Sequence, residues 1–177
     1  MDGRSLFRWS IHAVETNARV EGMKPRGGID VHVFMGQRLN ELRCAKGIST
    51  RDLSDALPYA NATQRIERIE RGEVKRIDIS FIARVSGALH IHPASLFTRC
   101  DFPYQREFSP DELVAHILGR LEVFCMMRHI FHIHLCKLAS LSPDYIAKMQ
   151  NGSGGGSLQR LVRLADELDI PVWQLFA

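Results

Sequence analysis

Apolar residues recur at helical spacing from residue 36 onward. A first predicted helix ends at Gly47, and the residues on its inward face are Leu39, Leu42 and Ala45. Ser49 is a favourable N-cap for a second helix, whose inward residues are Leu53, Ala56 and Leu57. The segment Pro58-Tyr59-Ala60 then interrupts the helical pattern. The pattern therefore predicts two short helices separated by a turn.

A third helix is predicted to open at Asn61, which caps it, with Gln64 as the partner in a capping box. Ile66 and Ile69 are predicted to face the core, and Gly72 is expected to end the helix. A basic loop and an amphipathic helix follow, up to residue 97.

The outward face of the third predicted helix is polar and mostly basic: Thr63, Gln64, Arg65, Glu67 and Arg68. Gln can form two hydrogen bonds with adenine and Arg can form two with guanine, so these side chains are suited to the major groove of DNA. Lys75 and Arg76, in the loop that follows, are placed to contact phosphates. A merely solvated face is the competing interpretation, and the complete order of helices and turns favours DNA binding.

Three segments carry a resemblance to a known family: R-L-x-E-L-R-x-A-K-G-I-S (38–49), I-E-R-I-E-R-G (66–72) and A-L-x-I-x-P-x-x-L-F (88–97). With them, residues 34–97 resemble the lambda-repressor/Cro-type (XRE-like) helix-turn-helix family, a compact five-helix fold. The resemblance implies that the helix opening at Asn61 is the recognition helix. The turn before it is about two residues longer than the family's, with Pro58 and Tyr59 as the extra residues.

The same resemblance implies a role for each candidate site residue. The implied base contacts are Thr63, Gln64, Arg65 and Arg68, and the implied phosphate contacts are Ser49, Thr50, Arg51, Lys75 and Arg76. Arg43 and Glu70 occupy positions that form a structural ion pair between the first and third helices of the family.

The second half of the chain repeats the first. Residues 80–97 align without gaps on residues 159–176, with identical pairs at Arg84/Arg163, Leu89/Leu168, Ile91/Ile170, Leu96/Leu175 and Phe97/Phe176. Upstream, I-E-R-I-E-R-G (66–72) parallels I-A-K-M-Q-N-G (146–152), and Ser142-Pro143-Asp144 is a strong helix start. We therefore predict an all-α chain of two tandem five-helix helix-turn-helix domains, the second diverged.

The second copy lacks much of the chemistry of the first. Its recognition helix would carry Pro143, Asp144, Tyr145 and Lys148, and the candidates for remaining DNA contact are Ser142, Tyr145 and Lys148. Gln150 replaces the glutamate of the ion pair, and Cys125 lies near the arginine position. Weak reading of a second DNA site, dimerisation or partner docking, and a purely structural role all stay open.

Four regions are predicted: an N-terminal arm (1–30), a DNA-binding domain (31–99), a linker (100–110) and the second domain (111–177). The formal net charge of the chain is +3, but residues 1–99 carry 16 Lys and Arg against 11 Asp and Glu, whereas residues 100–177 carry 7 against 9. Contact with a polyanion is therefore expected mainly from the first half. The arm is a loosely ordered tail, a strand formed by residues 7–13 that pairs in a dimer, or a basic extension along DNA.

Several other classes of protein are disfavoured. The four cysteines (Cys44, Cys100, Cys125 and Cys136) lack paired zinc spacings, and a helical row of Cys125, His129, His132 and Cys136 is too long to surround one ion. The Gly-rich loop 151–157 has neither the preceding strand nor the Lys-Ser/Thr of a phosphate-binding loop. We expect no metal, cofactor or catalytic activity, no membrane span, and a cytoplasmic location.

The function expected from the sequence is a DNA-binding transcriptional regulator of a mobile element or phage-like operon. Its expected partners are double-stranded DNA, a second copy in a homodimer, and RNA polymerase or another partner protein. The alternative is an antitoxin-like protein-interaction module that binds DNA secondarily.

Overall fold

Within the described residues, each half of the chain contains four α-helices and one short 3₁₀ helix. The computed structural model describes residues 30–100, 102–152 and 156–177. The first half contains α1 (Val31–Ala45), α2 (Thr50–Asp55), α3 (Ala62–Glu70), α4 (Ile79–Ala88) and the 3₁₀ helix η1 (Pro93–Leu96). The second half contains α5 (Pro110–Met127), α6 (His132–Leu138), α7 (Tyr145–Gln150), α8 (Leu158–Glu167) and η2 (Val172–Leu175). The prediction of an all-α fold is confirmed.

Local capping explains where several helices begin. The Ser49 side chain accepts a hydrogen bond from the Asp52 backbone N–H at 3.1 Å, and the Asp52 carboxylate accepts one from the Ser49 N–H at 3.0 Å. Ser109 and Glu112 form the same reciprocal pair at the start of α5, with Pro110 as its first residue. Each box satisfies backbone donors that the first helical turn leaves without a partner. The predicted N-cap role of Ser49 is confirmed.

Two predicted helix starts are wrong in detail. Asn61 precedes α3, but its φ of 58° is left-handed and its side chain makes no capping hydrogen bond, so Gln64 completes no capping box. A capping side chain reaches the first turn from an extended backbone, which Asn61 does not have. Similarly, α7 begins at Tyr145 rather than after Ser142, because Pro143 and Asp144 form a turn closed by the Tyr145 N–H and the Ser142 carbonyl at 2.9 Å.

Helix ends recur at equivalent places in the two halves. The residue two positions past the end of the first, third and fourth helix has a left-handed backbone in each half, with φ between 47° and 73°. These residues are Gly47, Gly72 and His90 in the first half and His129, Gly152 and Asp169 in the second. A left-handed residue at this position lets the last carbonyls of a helix find donors. The ends predicted at Gly47 and Gly72 are confirmed.

The core of the first half depends on close contact between α1 and α3. A Cβ added at Gly36 would lie 2.0 Å from the Ile69 carbonyl oxygen, so only glycine allows the two helices to approach this closely. Met35, Leu39 and Ile66 are fully buried beside this contact. The third helix is thus held rigidly against the first, which fixes the position of its outward face.

The two halves meet through reciprocal contacts. The Ile79 N–H donates to the Gly156 carbonyl at 3.0 Å, and the Leu158 N–H donates to the Ile77 carbonyl at 2.8 Å. The alignment of 80–97 with 159–176 makes Ile79 equivalent to Leu158, so each bond is the counterpart of the other. The rings of the equivalent pair Phe97 and Phe176 stack with centroids 4.5 Å apart. Such reciprocity is what a local two-fold axis produces.

The linker strengthens this contact between the halves. Phe102 stacks on His92 of the first half at 5.4 Å and lies 5.7 Å from Trp173 of the second. Phe108 contacts both His92 and His116, at 6.2 and 5.5 Å. The segment predicted as a linker therefore packs against both halves.

Two predictions concern residues outside the described ranges. The arm at residues 1–30, with its strand at 7–13, lies outside the described residues except for Asp30, and so does the middle of the Gly-rich loop (153–155). Within the described ranges, every helix is too short or too polar to cross a lipid bilayer.

Candidate nucleic-acid interface

A concave surface lies at the start of α3. Its lining residues come from the turn before α3, from α3 itself and from the loop after it: Ala60, Asn61, Gln64, Arg65, Arg68, Val74 and Arg76. Gln64 and Arg76 are exposed, and Thr63 is half-buried. The structure therefore brings together two groups predicted separately, the α3 side chains and one residue of the basic loop.

Arg65 lines this surface, but its side chain is also held by contacts within the protein. Its guanidinium carbon lies 5.2 Å from the ring centroids of both Tyr59 and Phe81, and its Nη2 lies 3.6 Å from an Asp78 carboxylate oxygen. Aromatic faces attract a guanidinium, so these contacts hold the side chain against the body of the protein. Base contact by Arg65 stays a prediction, and in this structure the arginine ties α3 to the turn before it and to α4.

The other basic residues are more accessible. Arg68 Nε lies 3.5 Å from a Glu73 carboxylate oxygen, and its side chain is half exposed. Arg76 is exposed and makes no ion pair within the described part of the chain, and Lys75 is exposed as well. Hydrogen bonds from the backbone and ring of His32 lower the pKa of Asp30, and the positive charge of Lys75 adds slightly to this. These side chains are able to reach an anion without breaking a buried contact.

Two polar side chains at the start of α2, Ser49 and Asp52, hydrogen-bond within the helix cap. Ser49 is occupied by the capping box with Asp52, and hydrogen bonds from Ser49 hold the pKa of the Asp52 carboxyl below its usual value. A phosphate approaching this helix end would meet that carboxylate, so Ser49 is a weak phosphate ligand. Thr50 is half-buried and Arg51 is exposed beside it. Of the three residues predicted here, Arg51 is the most accessible cation.

Arg43 and Glu70 lie in contact between α1 and α3. Arg43 Nε and Nη2 donate to the two Glu70 carboxylate oxygens at 2.7 and 2.9 Å, and Nη1 donates to the Ile48 carbonyl at 2.9 Å. The two side chains are only 11% and 12% exposed, and hydrogen bonding to Glu70 raises the pKa of Arg43. This bidentate pair faces away from solvent, so its role is to fix the orientation of α3.

The equivalent surface of the second half presents little chemistry for DNA. Tyr145 is 3% exposed, with the Arg160 guanidinium over its ring at 5.1 Å, so its predicted DNA contact is wrong. Lys148 Nζ lies 2.6 Å from an Asp144 carboxylate oxygen, so a phosphate that approaches Lys148 also meets a negative charge. Ser142 is exposed.

The histidines and cysteines near α6 are divided by a helix break. His129, with a φ of 53°, separates α5 from α6, so the continuous row of Cys125, His129, His132 and Cys136 does not form. Cys125 and Cys136 are buried, and burial raises the pKa of the Cys125 thiol to about 11. Across the described ranges, no three such side chains are grouped to hold a metal ion.

Tyr59 and Asp78 are the functional neighbours that sequence reasoning missed. Both position Arg65, and Tyr59 also lies 5.9 Å from the Arg84 guanidinium. The signal was the longer turn itself: an aromatic residue inserted just before a basic helix is suited to pack under an arginine.

Comparison of the chain with protein-family models, curated proteins and solved structures finds no match.

Proposed function

We propose that the first half of the chain binds double-stranded DNA and that the protein is a sequence-specific transcriptional regulator. One observation carries the proposal: the concave surface at the start of α3, where Gln64, Arg68 and Arg76 converge from two segments. An α-helix fits the major groove, and amide and guanidinium side chains at its start are the groups that distinguish bases.

Each residue has a distinct role under this proposal. Thr63, Gln64 and Arg68 contact base edges, whereas Thr50, Arg51, Lys75 and Arg76 contact phosphates, with Ser49 contributing weakly. Arg65 and the Arg43–Glu70 pair set the angle at which α3 enters the groove. Because counterion release accompanies phosphate contact, affinity is expected to fall steeply with salt concentration. Occupation of a promoter would then block transcription.

We also propose that the two halves are tandem copies of one helix-turn-helix fold. Both halves have the same order of elements, the left-handed residues recur after equivalent helices, and the halves meet through reciprocal contacts. The second copy is not expected to read DNA, because Tyr145 is buried and Lys148 is paired with Asp144. One chain should therefore read a single half-site.

The experiment is selection of bound duplexes from a random DNA pool with the full chain. The account predicts enrichment of one short motif, and the variant Gln64→Ala should relax preference at one position of it, because each base contact contributes about 1–3 kcal/mol of discrimination. No enrichment at low salt would contradict DNA reading and would favour the antitoxin-like alternative. Enrichment of a motif that Gln64→Ala leaves unchanged would show that α3 is not the reading helix.

A further inference from the structure

Two short segments of backbone join the halves where α4 and α8 begin. Residues 77–79 lie antiparallel to residues 156–158, with Asp78 opposite Ser157. Backbone hydrogen bonds of 3.0 and 2.8 Å flank that pair, one on each side. We call these six residues the junction. Because each segment leads directly into a helix, the junction fixes the starts of α4 and α8 relative to each other.

Close packing makes the junction tight. The side chains of Ile77, Ile79 and Leu158 are at most 1% exposed. A Cβ added at Gly156 would lie 2.2 Å from Ile79 Cδ1 and 3.1 Å from Met149 Cε in α7. The second half can therefore approach the start of α4 this closely because Gly156 has no side chain.

The start of α4 is also where α3 is held. Asp78, the residue before α4, forms an ion pair with Arg65 of α3. Phe81, in the first turn of α4, lies under the Arg65 guanidinium. Arg65 thus connects α3 to the same short segment that the second half contacts. An arginine can orient a helix only if the residues that it contacts are themselves fixed, and the junction fixes them.

The second half contains the same contact with the two residue types exchanged. The repeat makes Tyr145 of α7 equivalent to Arg65, and Arg160 of α8 equivalent to Phe81. The guanidinium of Arg65 lies 5.2 Å from the Phe81 ring, and that of Arg160 lies 5.1 Å from the Tyr145 ring. Such a contact is attractive whichever helix supplies the cation. The junction therefore lies between two equivalent contacts, one holding α3 and the other holding α7.

We propose that the second half holds the DNA-reading helix α3 in position through the junction, with Asp78 and Gly156 as positioning residues. The connection runs from α7 and α8 across the junction to the start of α4, and from there through Asp78 and Phe81 to Arg65. This inference rests on the proposed function of α3. It gives the second half a role in DNA affinity without any DNA contact of its own.

The first part of the test compares Gly156→Val with the matched control Gly119→Val in the full chain. Both add the same side chain to the second half, but a Cβ at Gly119 has no neighbour within 4 Å. Gly156→Val displaces Ile79 from the junction. Without DNA, it should raise hydrogen exchange of the α3 amides relative to the α2 amides. It should also weaken binding to the selected duplex by about 2- to 30-fold, the usual range for coupling through packed residues. Gly119→Val should change neither quantity.

The second part, Asp78→Asn, separates positioning from simple charge. Asp78 is exposed and is not among the described residues that line the concave surface. If charge alone matters, removing a carboxylate near a polyanion should strengthen binding. Under the proposal, loss of the contact with Arg65 outweighs that gain, so Asp78→Asn binds DNA more weakly. Asp78→Glu keeps a carboxylate for Arg65 and should bind as the wild-type chain does. Tighter binding by Asp78→Asn would overturn the proposal.

Failure of this inference differs from failure of the proposed function. A wild-type chain that selects no duplex refutes the proposed function and the role in DNA affinity, whereas faster α3 exchange in Gly156→Val would still support the contact through the junction. If the wild-type chain does bind DNA, α3 exchange or affinity in Gly156→Val equal to that of Gly119→Val would overturn this inference alone. Circular dichroism verifies that each variant folds. If Gly156→Val does not fold, the smaller change Gly156→Ala is measured in the same way.

Discussion

The surfaces of α2 and α3 differ from those of α6 and α7 far more than the cores beneath them do. In both halves, buried Leu and Ile residues hold the same succession of helices. Outside, Arg51 and Gln64 of the first half give way to an exposed Ile133 and a paired Asp144 in the second. One helical framework can thus present a polar, basic face or an apolar face, because exposed residues contribute little to folding.

The halves also differ in how the third helix is held. In the first half a bidentate ion pair joins α1 to α3, whereas the second half has a buried Cys125 near the arginine position and an exposed Gln150 at the glutamate position. Under the proposed function, α3 needs a fixed orientation to enter the DNA groove, whereas α7 only needs to pack against its own half.

The largest predicted effect comes from breaking that ion pair. Glu70→Ala leaves the Arg43 guanidinium with little solvent and no carboxylate, and should lower the free energy of unfolding by about 3 kcal/mol. The equivalent change in the second half, Gln150→Ala, alters an exposed side chain and should cost less than about 0.5 kcal/mol. Urea denaturation of the two variants checks this, and equal losses would refute the contrast.

Replacing a glycine in the first helix of each half by alanine should change the stability by a smaller amount. The two changes are expected to have opposite signs. Gly36→Ala forces α1 away from the Ile69 carbonyl and should destabilise the protein by about 1–3 kcal/mol. Gly119 in α5 has no neighbour within 4 Å of an added Cβ, so Gly119→Ala should stabilise the protein by about 0.5–1 kcal/mol. Thermal unfolding measures both, and a stable Gly36→Ala variant would contradict the close contact.

The smallest predicted effect is a pH dependence of the folding stability, caused by two histidines where the halves meet. Burial lowers the pKa of His92 and His116 from the usual value near 6.5, and the nearby Arg106 and Arg120 lower that of His116 further. The unfolded chain therefore binds more protons, so stability is full above about pH 6.5 and falls as the pH drops below it. His116→Gln, which can still donate to the Ala177 oxygen, should flatten this dependence in unfolding measured from pH 5 to 8. An unchanged slope would exclude His116 as its source.

Local patterns predicted the helices, and distant contacts decided the site. Ser49, Gly47 and Gly72 act within one turn of their neighbours, so spacing alone predicted these three helix ends, whereas it misplaced the caps expected at Asn61 and Ser142. The direction of Arg65 depends on Phe81, sixteen positions along the chain, and the burial of Tyr145 depends on how α7 packs. Periodicity does not reveal either contact. The sequence did not predict the exposure of Phe131 and Ile133 either, because an apolar stretch predicts a buried core by default.

The most direct test of the central claim is the affinity of the full chain for its selected duplex, compared between Arg68→Ala and Lys148→Ala. Lys148 occupies the position in α7 that Arg68 occupies in α3. We predict that Arg68→Ala weakens binding by about 1–3 kcal/mol, roughly 5- to 150-fold, whereas Lys148→Ala leaves it unchanged. Equal losses for the two variants, or a loss confined to Lys148→Ala, would contradict the claim that the first half alone reads DNA.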